Sequence, residues 1–159
     1  MMENTDIDFV PFTNELAPHF GALNLAWVSK YFTVEPWDEL VLMQPQTYVI
    51  GKGGAIYFAL VGSDVVGTFA LIVTGDKEYE LSKMAVAEQH RGKKIGNAML
   101  VFCLQEAKRL GAEKLILFSN TALQPAIHLY KKFGFKEVPL GNSTYVRSDI
   151  KMEIDLTTL

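Results

Sequence analysis

The stretch HRGKKIGNAM, residues 90–99, gathers residue types that hold phosphate. Gly92 and Gly96 let a ligand approach the main chain closely, and Arg91, Lys93 and Lys94 supply local positive charge. A helix starting at Ile95 would add unpaired N–H groups at the positive end of its dipole. The same residues would equally make a tight strand-to-helix turn with its lysines in solvent. Nucleotide fingerprints fit less well: the run GxxxxGK followed by Ser or Thr is absent, and RGKKIG lacks the glycine triad of a dinucleotide fold.

Two further side chains could do chemistry. Glu80 lies in YELSKMAVAE, where strand alternation puts Glu80, Ser82, Met84 and Val86 on one face unless a bulge reverses the phase. Tyr130 shares a helical face with Ile127 and Phe133, which also suits a buried aromatic. Cys103, the only cysteine, falls in an amphipathic helix and reads as a small core residue. Three scattered histidines without partner cysteines offer no metal-ligand spacing, so no metal is expected.

The elements that position these residues follow from periodicity. Residues 7–12 alternate like a first strand, and residues 15–32 read as a helix with Leu16, Phe20, Leu23, Ala26 and Trp27 on one stripe. A second short helix follows, with Pro36 in its first turn and Pro45 ending it. AIYFALVG, VVGTFALIVTG and YELSKMAVAE are β-rich runs separated by Ser63-Asp64 and by GDKE, which predicts three consecutive antiparallel strands. The helix over residues 95–110 buries Ile95, Met99, Phe102 and Cys103, widened by Leu100, Val101 and Leu104, and Gly111 marks its end. EKLILFS is a strand covered on both faces, and the helix near residues 124–133 has Pro125 at its start and Gly134 past its end. FKEVPL and STYVRSDIKMEIDL complete the chain as a hairpin around Gly141-Asn142. The expected fold is α+β: one domain over residues 1–159, with helices packed on a mixed sheet.

YELSKMAVAEQHRGKKIGNAML followed by LILFSNTALQPAIHLYKKFGFKEV resembles the GNAT superfamily of acetyl-CoA-dependent N-acetyltransferases. The resemblance covers about residues 55–156 in element order. It implies a mostly antiparallel twisted sheet of about six to seven strands, with a splayed parallel pair and about four flanking helices. Acetyl-CoA is then the cosubstrate. The N–H groups of Arg91, Gly92, Lys93, Lys94, Ile95, Gly96 and Asn97 hold its pyrophosphate, and the strand at Met84, Ala85 and Val86 pairs with its pantetheine arm. Asn120, Ala126 and Tyr130 complete the implied cofactor contacts, Asn120 otherwise capping the next helix. Tyr130 is implied beside the thioester sulfur, where a phenol with an unperturbed pKa near 10 can protonate the leaving thiolate. Glu80 is the candidate base for the acceptor ammonium. The family's loop usually has glycine where Lys94 stands, which predicts helical dihedrals for Lys94 if the lysine is to sit there unstrained.

The resemblance places the acceptor beside residues 30–39 and 145–149. Tyr31 and Phe32, with Trp37, could shape an aromatic pocket, and Glu35, with Asp38 and Glu39, could attract an ammonium. The same residues would serve equally as core aromatics and helix-start charges. The implied acceptor is a small-molecule amine or a peptide N-terminus. A net charge of −3 argues against nucleic-acid partners, charged tRNA included. No cationic leader, apolar signal core or membrane-length run is present, so a cytoplasmic protein without membrane partners is expected. Sheet edges near the C-terminus could support a homodimer. The competing reading is an acyl-CoA-binding or sensing module that keeps the fold without turnover.

Overall fold

The computed structural model describes residues 6–92, 94–141 and 145–159. Seven strands form one sheet in the order β1-β2-β3-β4-β5-β7-β6: β1 is Asp8–Pro11, β2 Ala55–Val61, β3 Asp64–Gly75, β4 Glu78–Val86, β5 Lys114–Ser119, β6 Lys136–Val138 and β7 Ile150–Asp155. Among the paired strands of the described residues only β4 and β5 run parallel, and the crossover that a parallel pair needs runs through a helix. Among the described residues five α-helices accompany the sheet: α1 Ala17–Tyr31, α2 Pro36–Met43, α3 Pro45–Tyr48, α4 Ile95–Arg109 and α5 Gln124–Lys132. Pro45 ends α2 as expected and also starts the single turn of α3.

The continuous apolar run TFALIV in β3 reflects a sheet covered on both faces. Phe69 and Leu71 point to the face under α4 and α5, where they meet Met99, Leu100, Cys103 and Ile127. Their neighbours Ala70 and Ile72 point the other way, onto Phe20 of α1 and Val41 and Leu42 of α2. Helix α4 keeps its expected limits and stripe, with one correction: Val101 is 44% exposed, pointing away from the sheet instead of widening the buried face. Phe102 sits at the edge of that face and stacks on Phe9 of β1 (4.3 Å between ring centroids).

Helix α1 also differs from expectation. Its buried line is Phe20, Gly21, Asn24 and Val28, whereas Ala26 is exposed and Leu23 and Trp27 only half-buried. An apolar count rejects Asn24 as a core position, but the Asn24 side-chain amide donates to the Phe20 carbonyl (3.0 Å), which makes the burial tolerable.

Helix α5 ends as the sequence indicates. Gly134 takes φ 105°, and Phe135 returns to the core. The expected C-terminal hairpin exists as β6 against β7; of the turn expected around Gly141-Asn142, Asn142 lies outside the described residues, as do residues 143 and 144. Before β7, residues 145–149 form a strap instead of continuing the strand.

Candidate active site

Strand β4 makes the site by two irregularities. It pairs with β5 only from Glu78↔Lys114 to Glu80↔Ile116, and beyond that point the two strands part. The edge of β4 past Glu80 therefore lacks a neighbouring strand on that side. On its other side, the register with β3 steps from Ala70↔Ser82 to Thr68↔Ala85, so Lys83 and Met84 oppose the single residue Phe69. Lys83 sits in the left-handed region at φ 56°. This bulge reverses the side-chain phase. Glu80 and Ser82 face α1 and α2, and Lys83 and Ala85 continue that face, while Met84 and Val86 pack on the α4 side. The expectation that Glu80, Ser82, Met84 and Val86 share one face is thereby corrected.

The parting of β4 and β5 opens a cleft. Glu80, Ser82, Lys83 and Met84 line one wall, Leu117 to Asn120 the other, with Ala126 and Tyr130 of α5, Phe32 after α1, and Tyr145 and Arg147 of the strap around them. Glu80 is 8% exposed, and burial pushes its carboxyl up to about 7 against the opposing pull of the nearby Lys83 charge and the Ser82 hydrogen bond. Tyr130 packs edge-on against Phe135 (5.8 Å), and burial raises its phenol to about 12. Its hydroxyl has no hydrogen-bond partner among the described residues. Cys103 lies fully buried in the core, its thiol pushed up by that burial.

Sequence reasoning gives Lys83 and Arg147 no role, although Lys83 lies in the strand YELSKMAVAE and Arg147 in the segment 145–149 expected beside the acceptor. The Lys83 ammonium and the Arg147 guanidinium meet on Asp38 of α2. Arg147 donates Nη1–H to Oδ2 (2.7 Å) and Nη2–H to Oδ1 (2.9 Å), and Lys83 donates to Oδ1. Burial opposes the Asp38 charge, but Arg147 and Lys83 hold its carboxyl at about 2. Burial also depresses the Lys83 ammonium, with Asp38 resisting. One hint was available: a lysine inside the apolar strand ELSKMAV needs a buried acid.

Glu35 and Asp38, expected to attract an ammonium or to start a helix, are taken up by the protein. Asp38 reaches back to the Glu35 N–H (2.8 Å), half of a capping box at the start of α2. Glu35 accepts from the Val146 and Arg147 N–H groups (2.9 and 3.1 Å) and from the Arg147 guanidinium (3.3 Å). The strap is fixed at its other side by Asn120, which donates to the Arg147 carbonyl (2.7 Å), and by Asp149, which accepts from Thr121. Asn120 caps a local turn through Ala122 (2.8 Å), while the N-cap of α5 is Leu123.

The N-terminus of α4 adjoins the end of β4. Its first intrahelical bond runs from Ala98 N–H to the Lys94 carbonyl (3.2 Å), and no side chain caps it. The N–H groups of Ile95, Gly96 and Asn97 thus lack acceptors within the helix. Arg91 donates to the Tyr31 hydroxyl (3.3 Å), so Tyr31 lies beside this loop, whereas Phe32 borders the cleft. Lys93 is outside the described residues. Lys94 corrects its expectation: φ 62° and ψ 23° place it in the left-handed region, because the chain must turn sharply into α4 there. The family's glycine at this position is explained by that turn. Left-handed backbone costs a non-glycine residue ~1–2 kcal/mol, against ~0.5–1 for the extra entropy that glycine loses. Lys94→Gly should therefore stabilise the fold by ~0.5–1 kcal/mol, read as a higher midpoint in urea.

The arrangement is a cleft between parted parallel strands, with a buried carboxyl and a phenol inside and an uncapped helix end beside it. The sequence profile of the acetyltransferase (GNAT) family matches residues 21–135. An uncharacterised N-acetyltransferase of Bacillus subtilis, YvbK, is 25% identical over 116 residues, covering 71% of this chain and 75% of that protein. N-acetyltransferase 8B of Mus musculus is 31% identical over 116 residues, 65% of this chain and 50% of that one, so the match spans only half of the mouse protein. Among solved structures, a GNAT-family acetyltransferase of Staphylococcus aureus Mu50 superposes with TM-score 0.83 at 19% identity, covering 95% and 99% of the two chains. A Bacillus subtilis acetyltransferase in complex with CoA gives TM-score 0.69 at 20% identity, covering 94% and 97%.

Proposed function

Because the chain belongs to the acetyltransferase (GNAT) family, we propose that it moves the acetyl group of acetyl-CoA directly to a primary amine, of a small molecule or a peptide N-terminus, in the cleft between β4 and β5. The observation that carries this reading is the end of β4–β5 pairing at Glu80↔Ile116, with Glu80 and Tyr130 both lining the gap.

The residues present fit the cosubstrate. The open N–H groups of residues 95–97, with Arg91, Gly92, Lys93 and Lys94, suit a pyrophosphate. The unpartnered edge of β4 at Met84, Ala85 and Val86 suits the amides of a pantetheine arm, which would replace the missing strand. Asn120 keeps one amide proton and one lone pair for that arm after its contacts to Arg147 and Ala122, and Ala126 leaves room at the start of α5. Unpaired N–H groups on β4 also suit the charge that develops on the thioester oxygen.

Glu80 takes the proton from the acceptor ammonium, directly or through water. A carboxyl near pH 7 is suited to this, being ionised often enough to accept and basic enough to matter. Tyr130 gives its proton to the leaving thiolate, so the enzyme needs no covalent intermediate. Phe32 meets the acceptor at the cleft mouth. Tyr31 acts from the loop side through Arg91, and Glu35 acts on the acceptor through Arg147.

Purified protein should release free thiol from acetyl-CoA with at least one member of a broad panel of amines and peptide N-termini. If it neither released thiol nor bound CoA, the proposal would fall. Tight CoA binding in calorimetry with no transfer would support the sensing module instead.

Glu80→Gln should lower kcat by ~10²-fold or more and remove the acidic limb of the pH–rate profile, which the wild type should show with an apparent pKa near 7. The same variant should change stability in a pH-dependent way. A carboxyl raised by folding from its ordinary value of 4.5 to about 7 favours the fold below pH ~4.5 and loses that contribution as the pH rises through 7. Wild-type urea midpoints should thus fall between pH 5 and 8 by more than those of Glu80→Gln.

A further inference from the structure

Two cations line the cleft, Lys83 and Arg147, which invites an acceptor carrying a carboxylate. Their partners argue the opposite. Asp38, wholly buried, is shared by both. Glu35 occupies two strap N–H groups and a guanidinium N–H, which together make a built anion site that the protein fills with its own carboxylate. Lys83, Arg147, Asp38 and Glu35 sum to no net charge, and Glu80 adds negative charge whenever it is ionised. Aromatic rings line the same cleft: Trp27, Phe32 and Tyr145, with Lys83 Nζ 4.5 Å and Arg147 Cζ 4.7 Å from the Tyr145 centroid and Arg147 Cζ 6.0 Å from that of Phe32. An ammonium entering here meets aromatic faces and an acid. A carboxylate entering here is desolvated beside acids, with both cations already committed.

We propose that the acceptor is a primary amine with no carboxylate next to its nitrogen, its apolar or aromatic body seated among Trp27, Phe32 and Tyr145, and that the Glu35–Arg147–Asp38–Lys83 network excludes free amino acids. This rests on the acetyl-transfer reading above. It makes Glu35 and Asp38 determinants of specificity, acting by occupying the cations a substrate carboxylate would need.

Matched series isolate the carboxylate from size: phenethylamine, phenylalaninamide and phenylalanine, then butylamine, norvalinamide and norvaline, each with acetyl-CoA and compared per free base. The carboxylate-free members should exceed their amino acids by ~100-fold or more in kcat/KM, the scale of a like-charge penalty of a few kcal/mol. The amides should stay with the amines. Amino acids acetylated as well as their amines would overturn the inference while leaving acetyl transfer intact. A lack of transfer to every member, with CoA bound, would overturn the inference, whereas acetyl transfer falls only if the broad panel of amines and peptide N-termini gives none either. Glu35→Gln, isosteric but neutral, should narrow the amine-to-amino-acid ratio several-fold by leaving the network net positive. An unchanged ratio in a folded variant would count against the network as its cause.

Discussion

Replacing Asp38 with alanine should destabilise the protein by ~3–5 kcal/mol, because it strands the buried Lys83 ammonium and leaves the Arg147 guanidinium only its longer contact to Glu35 (3.3 Å). The Lys83 side chain is 3% exposed, so water cannot take over the role of the carboxylate there, whereas Arg147 at 17% keeps some access to solvent. The loss also reaches beyond α2. Arg147 anchors the strap, and Lys83 occupies the bulge of β4, so Asp38→Ala should raise KM for the acceptor as well. Removing both charges of the inner pair, as in a Lys83→Met/Asp38→Asn double variant, should recover part of the stability lost by Asp38→Ala, since the unmatched Lys83 charge is then gone. The pH dependence has a definite sign. Asp38 is held at about 2, below its ordinary value of 3.8, so its stabilisation is fully present above pH ~4 and is lost as the pH falls through 2. Urea midpoints between pH 2 and 5 should accordingly steepen in the wild type relative to the double variant.

Tyr130→Phe should lower kcat by ~10²–10³-fold while leaving the CoA dissociation constant within about threefold, because general acid assistance is commonly worth 10²–10⁴. The hydroxyl has no described protein partner, so its removal leaves no protein donor or acceptor unsatisfied, and the ring still packs on Phe135. Burial raises the phenol to about 12, so it stays protonated throughout the working range. The variant should therefore keep the acidic limb that Glu80 sets and differ only in height. Equal loss of turnover and CoA binding would make Tyr130 a packing residue. Single-turnover thiol release and calorimetry separate the two outcomes.

What the sequence could show depended on how local the cause was. Helix α4 was readable because its stripe and Gly111 both lie within the segment. The β2–β3–β4 meander was readable from the Ser63-Asp64 and GDKE turns between apolar runs. The bulge at Lys83 was not, since it depends on two residues opposing Phe69 across the sheet and no glycine marks the positive φ. That one irregularity turned Met84 and Val86 away from Glu80. Lys94 misled for the same reason: a lysine stands in a left-handed position usually given to glycine. The Asp38–Arg147 pair joins residues 109 apart, and only the fold brings them together. Glu80, Tyr130 and the α4 loop were legible as candidates because their neighbours in sequence carry the pattern; the meeting of Glu80 and Tyr130 in one cleft depended on where β4 parts from β5.

The most direct test is a crystal structure with acetyl-CoA bound. The account predicts the pantetheine arm along the free edge of β4 at Met84, Ala85 and Val86, the pyrophosphate on the N–H groups ahead of α4, and the thioester sulfur within hydrogen-bond reach of the Tyr130 hydroxyl with Glu80 facing the open side of the carbonyl. Acetyl-CoA bound away from the gap between β4 and β5, or with its sulfur remote from Tyr130, would contradict it.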